Sequence, residues 1–206
     1  NAGNANAGTG KIGAKDVLTC CKSVGQELGI SYESVLPFST GVIGEPLKTK
    51  KYVNAFLKAS KQLKDNNWRK AAKSILTTDT KPKLLSALIR SGSKEIAITG
   101  FAKGSGMIRP DFATLLSFVF IDAKLNKTLL ESIHNEALAM SFNRITVDGD
   151  TSPNDSSLLA TNGNSIKNIK KGSAAEKKVS KVIIEIFKEL SELLIEDAEG
   201  ITKKVI

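Results

Sequence analysis

The sequence predicts a mixed α and β fold, and three observations lead there. Stretches with apolar residues at helical spacing interleave with short apolar runs bounded by Gly or Ser. One long pattern over residues 174–195 places Val179, Val182, Ile183, Ile186, Phe187, Leu190, Leu193 and Leu194 on a single helix face. The chain of 206 residues is 41% hydrophobic and 25% charged with only 5 Pro, a composition that supports a packed core.

Taken in order, residues 1–10 read as a Gly/Asn-rich loop. A helix is expected over 14–28, where Val17, Leu18, Cys21, Val24 and Leu28 share a face and Gly29 supplies the stop. Residues 52–63 give a second helix through Val53, Phe56, Leu57 and Leu63. The runs 84–89 and 95–99 suit strands. The run 114–121 suits a buried strand, with a short helix as the alternative. Residues 128–140 carry helical periodicity, while 144–147 and 158–161 read as strands around a polar loop. The chain opens inside a Gly-rich loop without Met and closes at Val205-Ile206 in what reads as a strand, so a fragment is expected.

The net charge of +9 raises the question of nucleic acid. Its lysines are scattered in small clusters (48–51, 167–171, 177–178), and aromatics are 5%, too few for a base-stacking platform, so no nucleic-acid partner is expected. The longest apolar run, 115–121, is broken by Ser117 and too short to span a bilayer, so no membrane partner is expected either. Cys20 and Cys21 are adjacent and cannot form an ordinary cross-link with each other. With no basic and apolar leader pattern at the start, they favour a reducing, cytoplasmic setting.

Several catalytic motifs fail on inspection. His134, the one histidine, sits on a predicted helix without a Gly-x-Ser-x-Gly elbow and reads as a surface or satisfied helix residue rather than a general base. One His with a vicinal Cys pair supplies no zinc site, and no metal is expected. Gly3 and Gly8 have phosphate-loop spacing, but Thr9 follows where Lys is required. The segment 148–155 misses the calcium-loop pattern, with Pro153 and Leu159 at positions that need Gly and Glu. It reads as a turn whose Asp and Asn side chains bind nearby amides.

What remains is a set of Thr, Gly and Lys blocks beside apolar segments: 39–45, 77–80, 103–107, Ala113-Thr114 and 199–203. A threonine hydroxyl needs a base and a polarised acceptor to act as nucleophile. Cutting the chain before Thr114 would place a new α-amine, with a pKa near ~7.7–8.0, beside its own Oγ. One residue would then carry both nucleophile and base, and Gly41 would let backbone amides approach an oxyanion. The alternative for each block is a strand threonine beside ordinary glycine turns.

In order and wording, the blocks resemble the ornithine acetyltransferase family, the bifunctional glutamate N-acetyltransferases of arginine biosynthesis. The resemblance runs through Gly3-Asn4-Ala5-Asn6-Ala7, 39–45, Trp68 with Ala71-Ala72, 77–82, 102–110, 113–116, 142–155 and 197–203, essentially the whole chain. Departures stand beside the nucleophile. Asp111-Phe112 and Leu115 replace the usual Asn-Met and Met, Pro153 interrupts Ser-Thr-Asn-Asp, and Ala198 and Ile201 replace Gly and Ala.

The resemblance implies an α/β layered sandwich with two sheets between helices. It implies self-cleavage at Ala113-Thr114, so that 1–113 is the C-terminal part of an α chain and 114–206 the N-terminal part of a β chain. Thr114 would be the nucleophile, Thr40 and Gly41 the oxyanion hole, and Thr77, Lys103, Thr114 and Glu199 the substrate site. The implied partners are N-acetylornithine, glutamate, ornithine and N-acetylglutamate, with α and β chains assembled as a heterotetramer. No cofactor is implied, acetyl-coenzyme A being a co-substrate in bifunctional members. Two other readings stand beside this one: a self-processing amidohydrolase or aminopeptidase of similar fold, and a noncatalytic amino-acid-binding fragment.

Overall fold

A computed structural model describes residues 3–109, 115–166 and 168–205. They fall into two compact units, Asn1–Thr77 and Thr78–Ile206. The proposed cleavage junction, Ala113 and Thr114, lies outside the described residues.

In the first unit, helix α1 (Gly10–Leu28) turns Cys20, Cys21 and Val24 inward, and helix α2 (Thr49–Ser60) packs against it. Gly29 ends α1 in the left-handed region (φ 67°), the stop expected from the sequence. Both thiols are free, and burial pushes them up, away from reactivity. A short helix α3 (Trp68–Ser74) places Ala72 in the interior. The opening loop is laced to residues 39–45. Ala5 donates its N–H to Val42 O (2.8 Å), Gly44 donates to Ala7 O (3.0 Å), and Asn4 Nδ2 donates to Glu45 O (2.9 Å).

The second unit is built on a four-stranded sheet in the order β1-β2-β3-β4. Strands β1 (Lys83–Ser91), β2 (Lys94–Lys103) and β3 (Leu116–Ile121) are antiparallel neighbours, and β4 (Ser156–Thr161) joins β3 in parallel. A two-residue turn with Gly92 at φ 63° closes the β1–β2 hairpin. Helices α4 (Lys127–Ala139) and α5 (Ala174–Ile195) pack together, and α5 lies on β1 and β2. The core between them is Ile96, Ile98, Val119 and Ile121 from the sheet against Ile183, Phe187 and Leu190 from α5. Gly100 permits this approach: a Cβ there would stand 2.9 Å from Ile186 Cγ2 and 3.0 Å from Val119 Cγ2. The opposite face carries Phe101 stacked on Phe118, with ring centroids 5.2 Å apart.

The mixed class is therefore observed, with one sheet among the described residues. Two local expectations are corrected. Residues 144–147 form no strand; a single 3-10 turn (Phe142–Arg144) precedes an irregular segment. Its alternation is real, since Ile145 and Val147 pack on the core. However, Val147 N–H goes to Ile108 O (2.9 Å), a loop carbonyl, and no ladder forms. Residues 201–205 are also irregular. Val205 is 95% exposed, and Lys204 pairs with Glu192 and Glu196 of the helical segment before it.

Candidate active site

The site begins with a lysine in an unexpected place. Lys83 opens β1, yet its side chain is fully buried, with its ammonium 2.5 Å from both Asp79 Oδ1 and Asp197 Oδ2. It also donates to Gly104 O (3.2 Å). Such a charge persists in the interior only because it is paired and hydrogen-bonded. Asp79 Oδ1 accepts a second bond from Gly104 N–H (2.6 Å), and Asp197 accepts from Thr80 N–H (3.0 Å) and from the Thr80 hydroxyl. Three segments distant in sequence (78–83, 103–106 and 197–199) are thereby tied to one end of the sheet.

The predicted substrate residues Lys103 and Glu199 stand on two of these segments. Lys103, the last residue of β2, is 2% exposed. Burial lowers its ammonium pKa, partly offset by the carboxylates of Asp79 and Asp155, while Lys83 lowers it further. Glu199 is exposed. It follows the carboxylate hub Asp197 by two residues and is held by its own N–H, which donates to Ser105 O (2.7 Å). The Ser105 hydroxyl, 2.6 Å from that of Thr78, donates to Glu199 Oε1 (3.4 Å). Gly106 leaves room for this carboxylate, since a Cβ there would meet Glu199 Oε2 at 2.9 Å. Glu199 also lines an open cleft of ≈ 800 Å³ with Arg144, Lys188, Glu192 and Lys203. Mixed charges of this kind suit a ligand that carries both carboxylate and ammonium groups.

Thr40, Gly41 and Thr77 belong to the first unit. Thr40 is 1% exposed, and Gly41 adopts φ 130° against the opening loop. A Cβ on Gly41 would lie 2.2 Å from both the carbonyl carbon and the oxygen of Gly3, so only glycine fits. Gly41→Ala is expected to lower the melting temperature of the full-length protein, through a cost of at least about 1–3 kcal/mol for the backbone alone. If Thr40 and Gly41 form the oxyanion hole, the same variant loses about 10²–10³ in kcat.

The 148–155 loop does bind nearby amides, as the sequence implied, and it reaches further. Asp148 accepts from Asp150 N–H (3.2 Å), but also from Met107 (2.5 Å) and Ile108 (3.0 Å). Asp155 Oδ1 accepts from Leu115 N–H (3.0 Å). One loop therefore grips the chain on both sides of residues 110–114. His134 is satisfied by Ser157 Oγ (2.8 Å), and burial lowers its pKa. Among the described residues, no group of three or more His, Cys, Asp and Glu is placed to hold a metal ion. No helix among them is long and apolar enough to cross a membrane.

The ArgJ family profile matches residues 1–206. This chain belongs to the ArgJ family. It is 43% identical over 204 residues to the arginine biosynthesis bifunctional protein ArgJ of Methylococcus capsulatus, covering 98% of this chain and 50% of that protein. The ArgJ protein of Colwellia psychrerythraea is 41% identical over 205 residues, covering 98% of this chain and 48% of its own length. The chain thus spans about half the length of the curated relatives it matches. A crystal structure of ArgJ from Bacillus halodurans aligns with a TM-score of 0.48 and 36% identity, over 54% of this chain and 58% of that one. Within this ArgJ-family chain, Lys83 is the supporting residue that sequence reasoning left outside every block, while Asp197, Ser105 and Asp155 lie in blocks it named without a role of their own in the site. A charged residue opening an apolar strand, as in Lys83-Leu84-Leu85, was the available signal for the first of them.

Proposed function

We propose that the chain supplies the central machinery of an N-acetyltransferase of arginine biosynthesis, moving acetyl from N-acetylornithine to glutamate. The observation that carries this reading is the family match over residues 1–206, with curated relatives named as bifunctional proteins of arginine biosynthesis. The grouping of Lys103 and Glu199 around the Asp79–Lys83–Asp197 hub supports it.

In this reading, maturation starts when Thr114 Oγ attacks the Ala113 carbonyl carbon. The peptide C–N bond breaks, the nitrogen takes the hydroxyl proton, and water opens the resulting ester to free Thr114 as a new N-terminus. The α-amine of Thr114 then serves as base for its own hydroxyl. That oxygen attacks the acetyl carbonyl of N-acetylornithine, ornithine leaves with the proton, and acetyl-threonine remains. The amine of glutamate attacks the ester, giving N-acetylglutamate and restoring the hydroxyl. Thr40 and Gly41 stabilise the oxyanions, the term that usually dominates acyl transfer. Lys103 and Glu199, with Thr77, bind the charged ends of the amino acid. No cofactor takes part, and acetyl-coenzyme A is a second acetyl donor if the protein is bifunctional. The working assembly is a cytoplasmic heterotetramer of α and β chains.

The test uses full-length protein with acetyl-labelled N-acetylornithine. Label is expected in N-acetylglutamate when glutamate is present, with little free acetate. Label released as acetate regardless of glutamate would indicate a hydrolase, and binding without turnover a noncatalytic module.

A further inference from the structure

Ser105 joins two parts of the site, and the chemistry above gives it no task. It is 2% exposed. Its hydroxyl lies 2.6 Å from that of Thr78 and 3.4 Å from Glu199 Oε1, and its carbonyl oxygen accepts the Glu199 N–H at 2.7 Å. A serine hydroxyl carries one proton, and an ionised carboxylate can only accept. The Ser105 proton is therefore directed to Glu199, and the Ser105 oxygen accepts from Thr78. The chain runs one way, from Thr78 through Ser105 to Glu199, and each link polarises the next.

The buried hub fixes both ends of this chain. Gly104 is held through both of its backbone polar groups: its N–H donates to Asp79 Oδ1 (2.6 Å), and its C=O accepts from the Lys83 ammonium (3.2 Å). Ser105 is the next residue. Thr78 directly precedes Asp79, and Glu199 follows Asp197 by two residues. Both of those aspartates stand 2.5 Å from Lys83. Gly106 supplies the space, since a Cβ there would stand 2.9 Å from Glu199 Oε2 and 3.0 Å from its carboxyl carbon. The Glu199 carboxylate thus lies against residue 106 with one oxygen engaged by Ser105.

We infer that Ser105 is the positioning residue of Glu199: its carbonyl holds the Glu199 backbone and its hydroxyl one carboxylate oxygen, so that the other oxygen meets the side-chain ammonium of the acetyl donor. The inference rests on the reading that Glu199 binds substrate. N-acetylornithine has a single cation, because acetylation removes the charge of its α-amine, and a carboxylate is the complementary partner for that cation. Without the Ser105 proton the Glu199 side chain is free to turn among rotamers, and the cost of ordering it falls on the binding step. This latch sets the preference for a charged donor over an uncharged one.

The experiment uses full-length protein and two ligands. N-acetylornithine is the donor, at saturating glutamate, and N-acetylnorvaline, the same skeleton without the terminal ammonium, is the competing inhibitor. Ser105→Ala is expected to raise KM for N-acetylornithine about tenfold, the weight of one hydrogen bond to a charged group, with kcat little changed. The inhibition constant of N-acetylnorvaline should stay where it is, because that ligand makes no use of the carboxylate. Ser105→Thr keeps the hydroxyl and should return KM towards wild type. Thr78 is exposed, so Thr78→Val tests the chain without disturbing the core and should move KM the same way by less. If Ser105→Ala does not fold, Thr78→Val alone decides. An unchanged KM, or an equal loss for both ligands, would overturn the inference, since a merely structural residue would weaken both. Glu199→Gln separates the two layers. If it leaves the preference for the charged ligand intact, the Glu199 reading fails and the inference falls with it. If it abolishes that preference while the Ser105 and Thr78 variants keep it, the inference alone fails.

Discussion

Thr114→Ala in the full-length protein is expected to leave a single uncleaved chain that neither accepts acetyl nor transfers it. Mass spectrometry gives the first result directly, because a cut between Ala113 and Thr114 would replace the full-length mass by those of two pieces. Incubation with acetyl-labelled N-acetylornithine gives the second, as label retained on the protein after denaturation. Losing a hydroxyl that serves as covalent nucleophile costs on the order of 10⁴ or more in rate, since only binding and oxyanion stabilisation remain. Thr114→Ser should keep both steps at reduced rate, having the same functional group. Normal transfer by the alanine variant would refute the covalent mechanism.

Lys83→Met is expected to have the largest effect on stability, about 3–5 kcal/mol, because it removes the buried ammonium that stands 2.5 Å from both Asp79 and Asp197. Denaturant melts of full-length protein measure it. Adding Asp197→Asn should recover part of the loss by removing one uncompensated charge. The same hub sets an acid dependence. Burial pushes the Asp197 carboxyl up, but hydrogen bonds from Lys83 and Thr80 outweigh it and hold it below the ordinary carboxylate value. A carboxyl depressed in the folded state contributes stability above its unfolded pKa and loses it as pH falls through the folded value. The wild type should therefore resist acid to a lower pH than Lys83→Met, whose Asp197 lacks that cation. A melt of Lys83→Met indistinguishable from wild type at neutral pH would remove the hub from the account.

The parts of the fold that were legible in the sequence are those governed by local periodicity. Helix α5 keeps its apolar stripe for 22 residues, and its expected limits are the observed ones. Helix α1 ends at the Gly29 that signalled it, and the β1–β2 hairpin follows its Gly-Ser turn. Helix α3 spans 7 residues, two turns, too few to show a period. Residues 144–147 alternate like a strand because two of them face the core, and alternation alone does not reveal whether a ladder partner exists. In the candidate site, the glycine and threonine blocks were visible as words. Their support was not, because Lys83 and Asp197 are 114 residues apart and meet only in the folded chain. A lone lysine at the head of a strand looks like a solvated charge until its partners are known.

The order of the sheet bears on what a cut before Thr114 would do. Strand β2 comes before the junction and β3 after it, and the two are antiparallel neighbours from Ile98↔Ile121 to Lys103↔Leu116. Helix α5, from the later piece, covers β1 and β2 of the earlier one. A severed bond would leave one sheet shared by two polypeptides, with the core of the second unit divided between them. Folding is then unimolecular only once: the precursor closes the β2–β3 connection at the cost of a short loop, whereas the cut product, once unfolded, must find its other half from solution. Maturation of this kind converts a reversible fold into a kinetic commitment, and the mature protein inherits its shape from a chain that no longer exists.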